Sequence, residues 1–180
     1  MNSLALRRWQ AAALGLLAAA IQIGWEALHG GIVTHHFMRN GSLPGLSNAW
    51  AVLILPLLAF WAARQVQQRG GRPAAALLGF ALALLLGAAV SVAFRHGDEA
   101  LTAGVFFSAV ALGIALPGYR AECLLGWVLG MGWTFGPVIP LAFGAVVVGI
   151  SALLHLIVWP KFSQALRRFL RRFSRRFPLR

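Results

Sequence analysis

Histidine and acidic side chains are concentrated in two short polar segments of this otherwise apolar chain. The first, residues 26–36, contains three of the five histidines, and the second, residues 95–99, contains a fourth. Imidazole and carboxylate groups are ligands that zinc, copper, iron and nickel accept in proteins. The sequence therefore predicts a cluster that binds a transition metal or a haem, with these candidate ligands: Glu26, His29, His35, His36 and His96.

Residue spacing gives these side chains different roles. Gln22, Glu26 and His29 stand at i, i+4 and i+7, so they share one face of a helix, and a polar face in an apolar span is expected to turn inward. Adjacent residues of an extended segment point in opposite directions, so we expect only one of His35 and His36 to reach a given ion. The side chains expected to complete or orient the ligand set are Gln22, Arg95, His96, Asp98 and Glu99.

Other interpretations of these residues stay open. Histidines near a membrane surface also occur as hydrogen-bonded loop residues, in proton relays and in substrate sites. Asp98 with Thr102 fits an ordinary helix start, because a carboxylate accepts from the first backbone N–H groups. A weaker polar group lies later in the chain, where Ser151 and His155 stand at i and i+4, and a contact between Glu122 and His155 is one hypothesis for it.

Composition decides which elements carry these residues. Hydrophobic residues make up 59% of the 180 positions and charged residues only 11%, a balance typical of helices in lipid and not of a soluble domain. The single cysteine, Cys123, excludes an intramolecular disulfide and a metal site of the paired-cysteine type. Sequence motifs of kinases, P-loops, zinc proteases and dinucleotide sites are absent.

The apolar stretches predict an all-α bundle of six transmembrane helices, since about 20 residues of helix cross the hydrocarbon core. The predicted spans are 10–28, 49–63, 74–94, 101–117, 123–137 and 139–159, and residues 1–160 form one domain. Pro137 and Pro140 are expected to end the fifth helix and to separate it from the sixth. The alternative is a single long, kinked helix over that stretch, which gives five spans.

Charge placement favours six spans. With the amino end inside, 14 of the 16 basic residues fall on the cytoplasmic face and only Arg39 and Arg95 on the other. The sequence thus predicts an integral membrane protein with both termini cytoplasmic, and its arginine- and alanine-rich composition favours a bacterial inner membrane.

The tail and the fifth span carry two further patterns. Residues 161–180 alternate apolar and basic residues at helical spacing, which predicts an amphipathic helix on the anionic cytoplasmic leaflet. Its headgroup ligands are expected to be Arg167, Arg168, Arg171, Arg172, Arg175 and Arg176. Glycines at GxxxG spacing in the fifth span predict close helix packing, within the chain, in a homo-oligomer or with a membrane partner. These glycines are Gly126, Gly130, Gly132 and Gly136.

Three functions are compatible with these patterns. The first is a redox, metal-handling or membrane-enzyme component built on the outward-facing histidine and carboxylate cluster. The second is a transporter or channel subunit with a pathway lined by Gln22, Glu26, Ser91 and Thr134. The third is a membrane scaffold that packs through the glycine-rich fifth span. No pattern is typical of a nucleic-acid-binding protein.

Overall fold

The computed structural model describes residues 3–35, 45–70 and 73–176. Within these residues the chain is all-helical apart from one two-residue strand pairing, as the composition predicts. The helices before the tail are α1 (Ser3–Leu28), α2 (Ala51–Gln68, preceded by the 3-10 turn Asn48–Trp50), α3 (Pro73–Arg95), α4 (Glu99–Ala115), α5 (Ala121–Phe135) and α6 (Val138–Ala152). In the first connection β1 (Thr34–His35) pairs antiparallel with β2 (Leu46–Ser47).

Four helical segments are long and apolar enough to cross a membrane, namely Arg7–Leu28, Asn48–Gln68, Pro73–Arg95 and Val138–Arg168. Helix α4 is apolar but has 17 residues, and α5 has 15. At about 1.5 Å per residue, α5 is about 22 Å long, shorter than the roughly 30 Å hydrocarbon core. The count of six helices before the tail is consistent with the predicted number.

The fifth and sixth helices are separate, and a glycine makes the turn between them. Gly136 follows α5 with a φ of 69°, in the left-handed region that favours glycine, and Pro137 then precedes α6. Pro140 lies in the first turn of α6, where a missing backbone N–H costs little.

The tail helix α7 (Trp159–Arg176) continues directly from α6 through the π turn Leu153–Val158. This widened turn ends two residues before Pro160, whose backbone nitrogen has no hydrogen to donate to the preceding turn. The described backbone therefore has no loop between the last apolar helix and the basic tail.

Helices α1 and α2 are antiparallel neighbours. The rings of Trp9 and Phe60 lie 5.1 Å apart near one end of the pair, and Asn48 donates to Glu26 at the other end. The first of these two ends also carries an ion pair between Arg69 and Glu122, which brings the start of α5 to the end of α2. We call it the Arg69 end and the opposite one the Glu26 end.

Helices α3 and α5 run parallel and approach closely through glycine. A Cβ added at Gly126 would lie 2.3 Å from the carbonyl oxygen of Phe80, and one added at Gly130 would lie 2.4 Å from that of Leu84. The predicted packing glycines of α5 thus meet α3 of the same chain. Gly132 has only the Gln22 amide within 4 Å of such a Cβ, and Gly136 makes the turn described above.

Helix α4 runs parallel to α6, since Gly113 lies against Val147 and Leu116 accepts from Ser151. Helices α1, α3 and α5 therefore all run from the Arg69 end to the Glu26 end, and α2, α4 and α6 run back. Helix α5 lies at the centre, where it packs against α2, α3 and α6. The core between α1, α2 and α5 is built from Ala19, Ala51, Leu55, Leu58, Leu124 and Val128.

Candidate functional site

Both oxygens of the Glu26 carboxylate accept hydrogen bonds. Its Oε1 accepts from the Asn48 amide at 2.6 Å and from Gln22 Nε2 at 3.3 Å, and its Oε2 accepts from the backbone N–H of Val33 at 3.0 Å. Gln22 Nε2 also donates to the carbonyl of Gly132 at 3.0 Å. Gln22 is buried and Glu26 half-buried, so this part of the polar face turns inward and joins α1 to the first connection, to the turn before α2 and to α5, whereas His29 is exposed.

Of the three histidines in the first polar segment, His29 is the one whose side chain the structure describes, and it contacts its own helix. The ring of His29 stacks on Trp25 at 3.9 Å, and its Nδ1 lies 2.8 Å from the Trp25 carbonyl oxygen on the same helix. The backbone of His35 pairs with Leu46 in the short sheet. His36 lies outside the described residues.

The second polar segment forms the start of α4. Asp98 caps this helix by accepting from the backbone N–H of Leu101 at 2.8 Å, and Thr102 donates its hydroxyl to the Asp98 carbonyl at 2.7 Å. Arg95, His96 and Glu99 are exposed. The ordinary helix-start interpretation of Asp98 is therefore the one the geometry matches.

Among the described residues, no group of three or more histidine, cysteine, aspartate or glutamate side chains could hold a metal ion. The physical reason is that the oxygens of Glu26 are occupied by N–H donors, while His29 contacts its own helix and Asp98 caps another. The predicted histidine cluster and metal site are thus unsupported in this part of the chain.

The Arg69 end holds a second polar network. Arg69 Nη1 lies 2.9 Å from Oε1 of Glu122, a side chain that is only 6% exposed, and Arg69 Nη2 donates to Gln65. The side-chain amide oxygen Oε1 of Gln65 also accepts from the backbone N–H of Ala121 at 3.5 Å. This network connects the end of α2 to the start of α5.

His155 does not meet Glu122, contrary to one hypothesis from the sequence. Its Nδ1 lies 3.0 Å from the Ser151 carbonyl oxygen and its Nε2 lies 3.2 Å from the carbonyl oxygen of Ala115. Ser151, which is fully buried, donates its hydroxyl to the Leu116 carbonyl at 3.1 Å. Both side chains therefore bind carbonyl groups at the end of α4 and hold that end against α6.

An apolar cavity of about 310 Å³ lies between α3, α4, α5 and α6, in the half of the bundle nearer the Arg69 end. Its walls come from all four helices and from the turn after α4, and they include Leu82, Leu86, Ala109, Val110, Trp127 and Val147. The sequence patterns did not predict this cavity. Its one signal is the run of small residues Ala75, Gly79 and Ala83 at i, i+4 and i+8 on α3, which leaves space along one helix face.

Three polar groups contact this cavity. Arg120 and Cys123 line it at the start of α5, and Trp127 lines it one turn beyond Cys123. Two buried atoms, Arg120 Nε and Trp127 Nε1, have no hydrogen-bond partner in the described part of the chain. The indole of Trp127 packs on Gly144, where an added Cβ would lie 3.1 Å from the ring. The cavity thus combines an apolar interior with one cationic side chain at its end.

No protein-family model, curated protein or solved structure matches this chain. Its function must therefore be argued from its own residues and their geometry.

Proposed function

We propose that this chain is a six-span integral membrane protein that binds the hydrocarbon chain of a membrane amphiphile in the cavity between α3 and α6. The observation that carries the proposal is the cavity itself, whose volume of about 310 Å³ lies within the roughly 300–1,000 Å³ of typical small-molecule sites. An apolar cavity accepts apolar molecules. Lipid chains are the apolar molecules that surround a protein in a bilayer.

The membrane part of the proposal is supported by the surface of the bundle. Large apolar side chains point outward on every long helix, among them Trp9, Leu57, Leu78, Phe107 and Val146. Contiguous apolar surface on this scale is unfavourable in water and favourable against lipid. Helices α4 and α5, which lie outside the four long apolar segments, fit best with local thinning of the bilayer or with burial among the longer helices.

We place the Arg69 end in the cytoplasm of a bacterial cell, at the inner membrane, with both termini on that side. The support is the distribution of basic residues, 14 of which belong to this end by sequence. The exposed arginines Arg167 and Arg168 and the exposed apolar residues Phe162 and Leu166 suit α7 to an anionic leaflet. The π turn before Trp159 is the point at which the helix would bend towards that surface.

The functions predicted from sequence receive less support. A pathway through Gln22, Glu26 and Ser91 conflicts with their bonding, because Gln22 and Ser91 donate to α5 carbonyl groups and Glu26 accepts three hydrogen bonds. A scaffold that packs through Gly126 and Gly130 would need the face that α3 already covers. A metal or haem component has no described ligand cluster.

Lipid retention in a cavity-filling variant tests the proposed binding site. Ala109 is buried and lines the cavity, so Ala109→Phe should fill it, whereas Ala111, exposed two residues along α4, gives the matched control Ala111→Phe. We expect native mass spectrometry to find bound lipid on the wild type and on Ala111→Phe, and to find it lost from Ala109→Phe. Equal retention by both variants, with matching thermal unfolding, would refute the site, as would lipid-free wild-type protein.

Thiol labelling tests the orientation. In a Cys123→Ala background, we expect a cysteine at His96 to react with an impermeant maleimide in intact spheroplasts, and a cysteine at Ser163 to react only after lysis. The reverse pattern would invert the topology, and labelling of both sites before lysis would argue against six spans.

A further inference from the structure

We propose that Arg120 binds the phosphate of an anionic phospholipid whose hydrocarbon chain occupies the cavity. This inference rests on the proposed function and adds the headgroup class to it. It starts from the charge balance at the Arg69 end. The chain has only four acidic residues, and three of them, Glu26, Asp98 and Glu99, belong to the other end of the bundle.

The fourth acid, Glu122, is already paired. It lies 2.9 Å from Arg69, and this is the one ion pair in the described part of the chain. Arg120 stands two residues before Glu122 and has no acidic partner there. Its Nε is buried without a hydrogen-bond partner, so part of the guanidinium is removed from water with nothing in exchange. An anion that accepts from this N–H would restore the hydrogen bond that burial removes.

The position of Arg120 in the fold also favours an anion. It is the residue before the first turn of the 15-residue helix α5, with extended backbone, and its side chain makes no capping hydrogen bond. The amino end of a helix carries partial positive charge, which adds to the charge of the guanidinium. The planar guanidinium fork matches the oxygens of a phosphate and binds them in pairs.

The ligand must be an amphiphile because Arg120 shares its cavity with apolar walls. From Arg120 the cavity continues past Cys123 to Trp127, about 10 Å along α5 at helical rise. A free phosphate would leave this apolar space unfilled, whereas a phospholipid fills it with its chain and presents its phosphate to Arg120. In the proposed topology this end lies at the level of the cytoplasmic headgroups.

The charge of the headgroup follows from the same balance. A zwitterionic lipid carries no net charge, so its ammonium group opposes the attraction between its phosphate and Arg120. An anionic lipid has no ammonium group, and its net negative charge compensates the charge of Arg120. Transfer of a hydrocarbon chain from the bilayer to the cavity contributes little free energy of binding by itself, because both environments are apolar. The headgroup contact is therefore expected to decide which lipid binds.

Competition between two lipids with the same chains tests this inference. Full-length wild-type protein is equilibrated with equal amounts of phosphatidylglycerol and phosphatidylcholine, and the bound lipid is counted by native mass spectrometry. A charge-assisted contact predicts a preference of about tenfold for phosphatidylglycerol. We expect Arg120→Gln to bind both lipids about equally and Arg120→Lys to keep part of the preference. Arg64→Gln removes an exposed arginine from the same end and should behave as wild type.

The outcomes separate the two proposals. If Arg120→Gln still binds lipid and keeps the wild-type preference, the headgroup assignment is wrong while the cavity remains a lipid site. If neither lipid binds the wild type, the proposed function fails first. Inorganic phosphate at millimolar concentration should not displace the bound lipid, and displacement by it would mean that Arg120 binds free phosphate instead.

Discussion

Gly126 of α5 lies so close to Phe80 of α3 that a Cβ built on the glycine would stand 2.3 Å from the Phe80 carbonyl oxygen. Backbone cannot give way as a flexible side chain can, so Gly126→Ala must push the two helices apart. We expect a loss of about 1–3 kcal/mol in the free energy of unfolding, the usual cost of overpacking. Thermal or denaturant unfolding in detergent measures it.

The matched control is Gly104→Ala on α4, where an added Cβ meets nothing within 4 Å. This variant should be neutral or slightly more stable, because alanine has the higher helix propensity. Equal destabilisation by the two substitutions would show that α3 and α5 do not approach through Gly126.

The Glu26 carboxylate is expected to hold the first connection in place. Glu26→Ala removes the acceptor for the Val33 N–H and for the Asn48 amide, and Asn48 is almost fully buried. Because hydrogen bonds to charged groups contribute about 1.5–3 kcal/mol, we expect amide exchange at Val33 to accelerate at least tenfold. A stronger effect of His29→Ala, accompanied by loss of bound metal, would restore the metal hypothesis.

The two members of the Arg69 and Glu122 pair should respond differently to neutralisation. The Glu122 side chain is 6% exposed and the Arg69 side chain 35% exposed. Arg69→Gln leaves a carboxylate buried without its counter-ion, whereas Glu122→Gln leaves a cation that water reaches. We therefore expect Arg69→Gln to cost about 1–3 kcal/mol of stability and Glu122→Gln to cost less.

A double-mutant cycle on chemical unfolding measures their coupling, with Arg64→Gln as the exposed control. The double variant should be more stable than the sum of the single losses predicts. Strict additivity would show that the pair contributes no coupling energy.

Ser151 and His155 are expected to hold the turn that closes the cavity after α4. Ser151 donates to Leu116, and Leu116 and Gly118 both line the cavity. Ser151→Ala removes an intramembrane hydrogen bond of roughly 0.6 kcal/mol, so its effect on global stability should be small. Its effect on local opening should be larger, seen as faster amide exchange in residues 116–120. Ser108→Ala, at an exposed position on α4, is the control, and identical exchange in the two variants would contradict this role.

Hydropathy and turn residues were sufficient to predict several features of the fold. Long apolar runs predicted an all-helical chain, and four of its helical segments have the length and composition to cross a membrane. The pair Pro137 and Pro140 predicted the end of α5, because a proline in the middle of a helix lacks the donor that continues it. Asp98 begins α4 for an equally local reason, since its carboxylate reaches the N–H groups of the following turn.

The partners of the polar side chains depended on the packing of the helices. Glu26 and His29 share a helix face by spacing, yet Asn48, in the turn before α2, donates to the carboxylate and the His29 ring contacts Trp25 of its own helix. GxxxG spacing indicated a close helix partner, but only the parallel placement of α3 identified it. In both cases spacing fixes which side chains share a face and leaves open which element covers that face.

Only the tertiary structure shows the cavity and shows that Arg120 lacks an acidic partner among the described residues. Each wall of the cavity is an ordinary apolar helix face, and the space exists because small residues on α3 and α4 fail to fill the gap between four helices. Arg120 has no acidic partner in the described part of the chain, because the one acid near it in sequence, Glu122, pairs with Arg69. The sequence by itself determined apolar helices, their ends and the unequal charge of their two ends, since these depend on neighbouring residues along the chain. Which charges pair and where space remains depends on residues distant in sequence, and only the folded arrangement of the helices decides that.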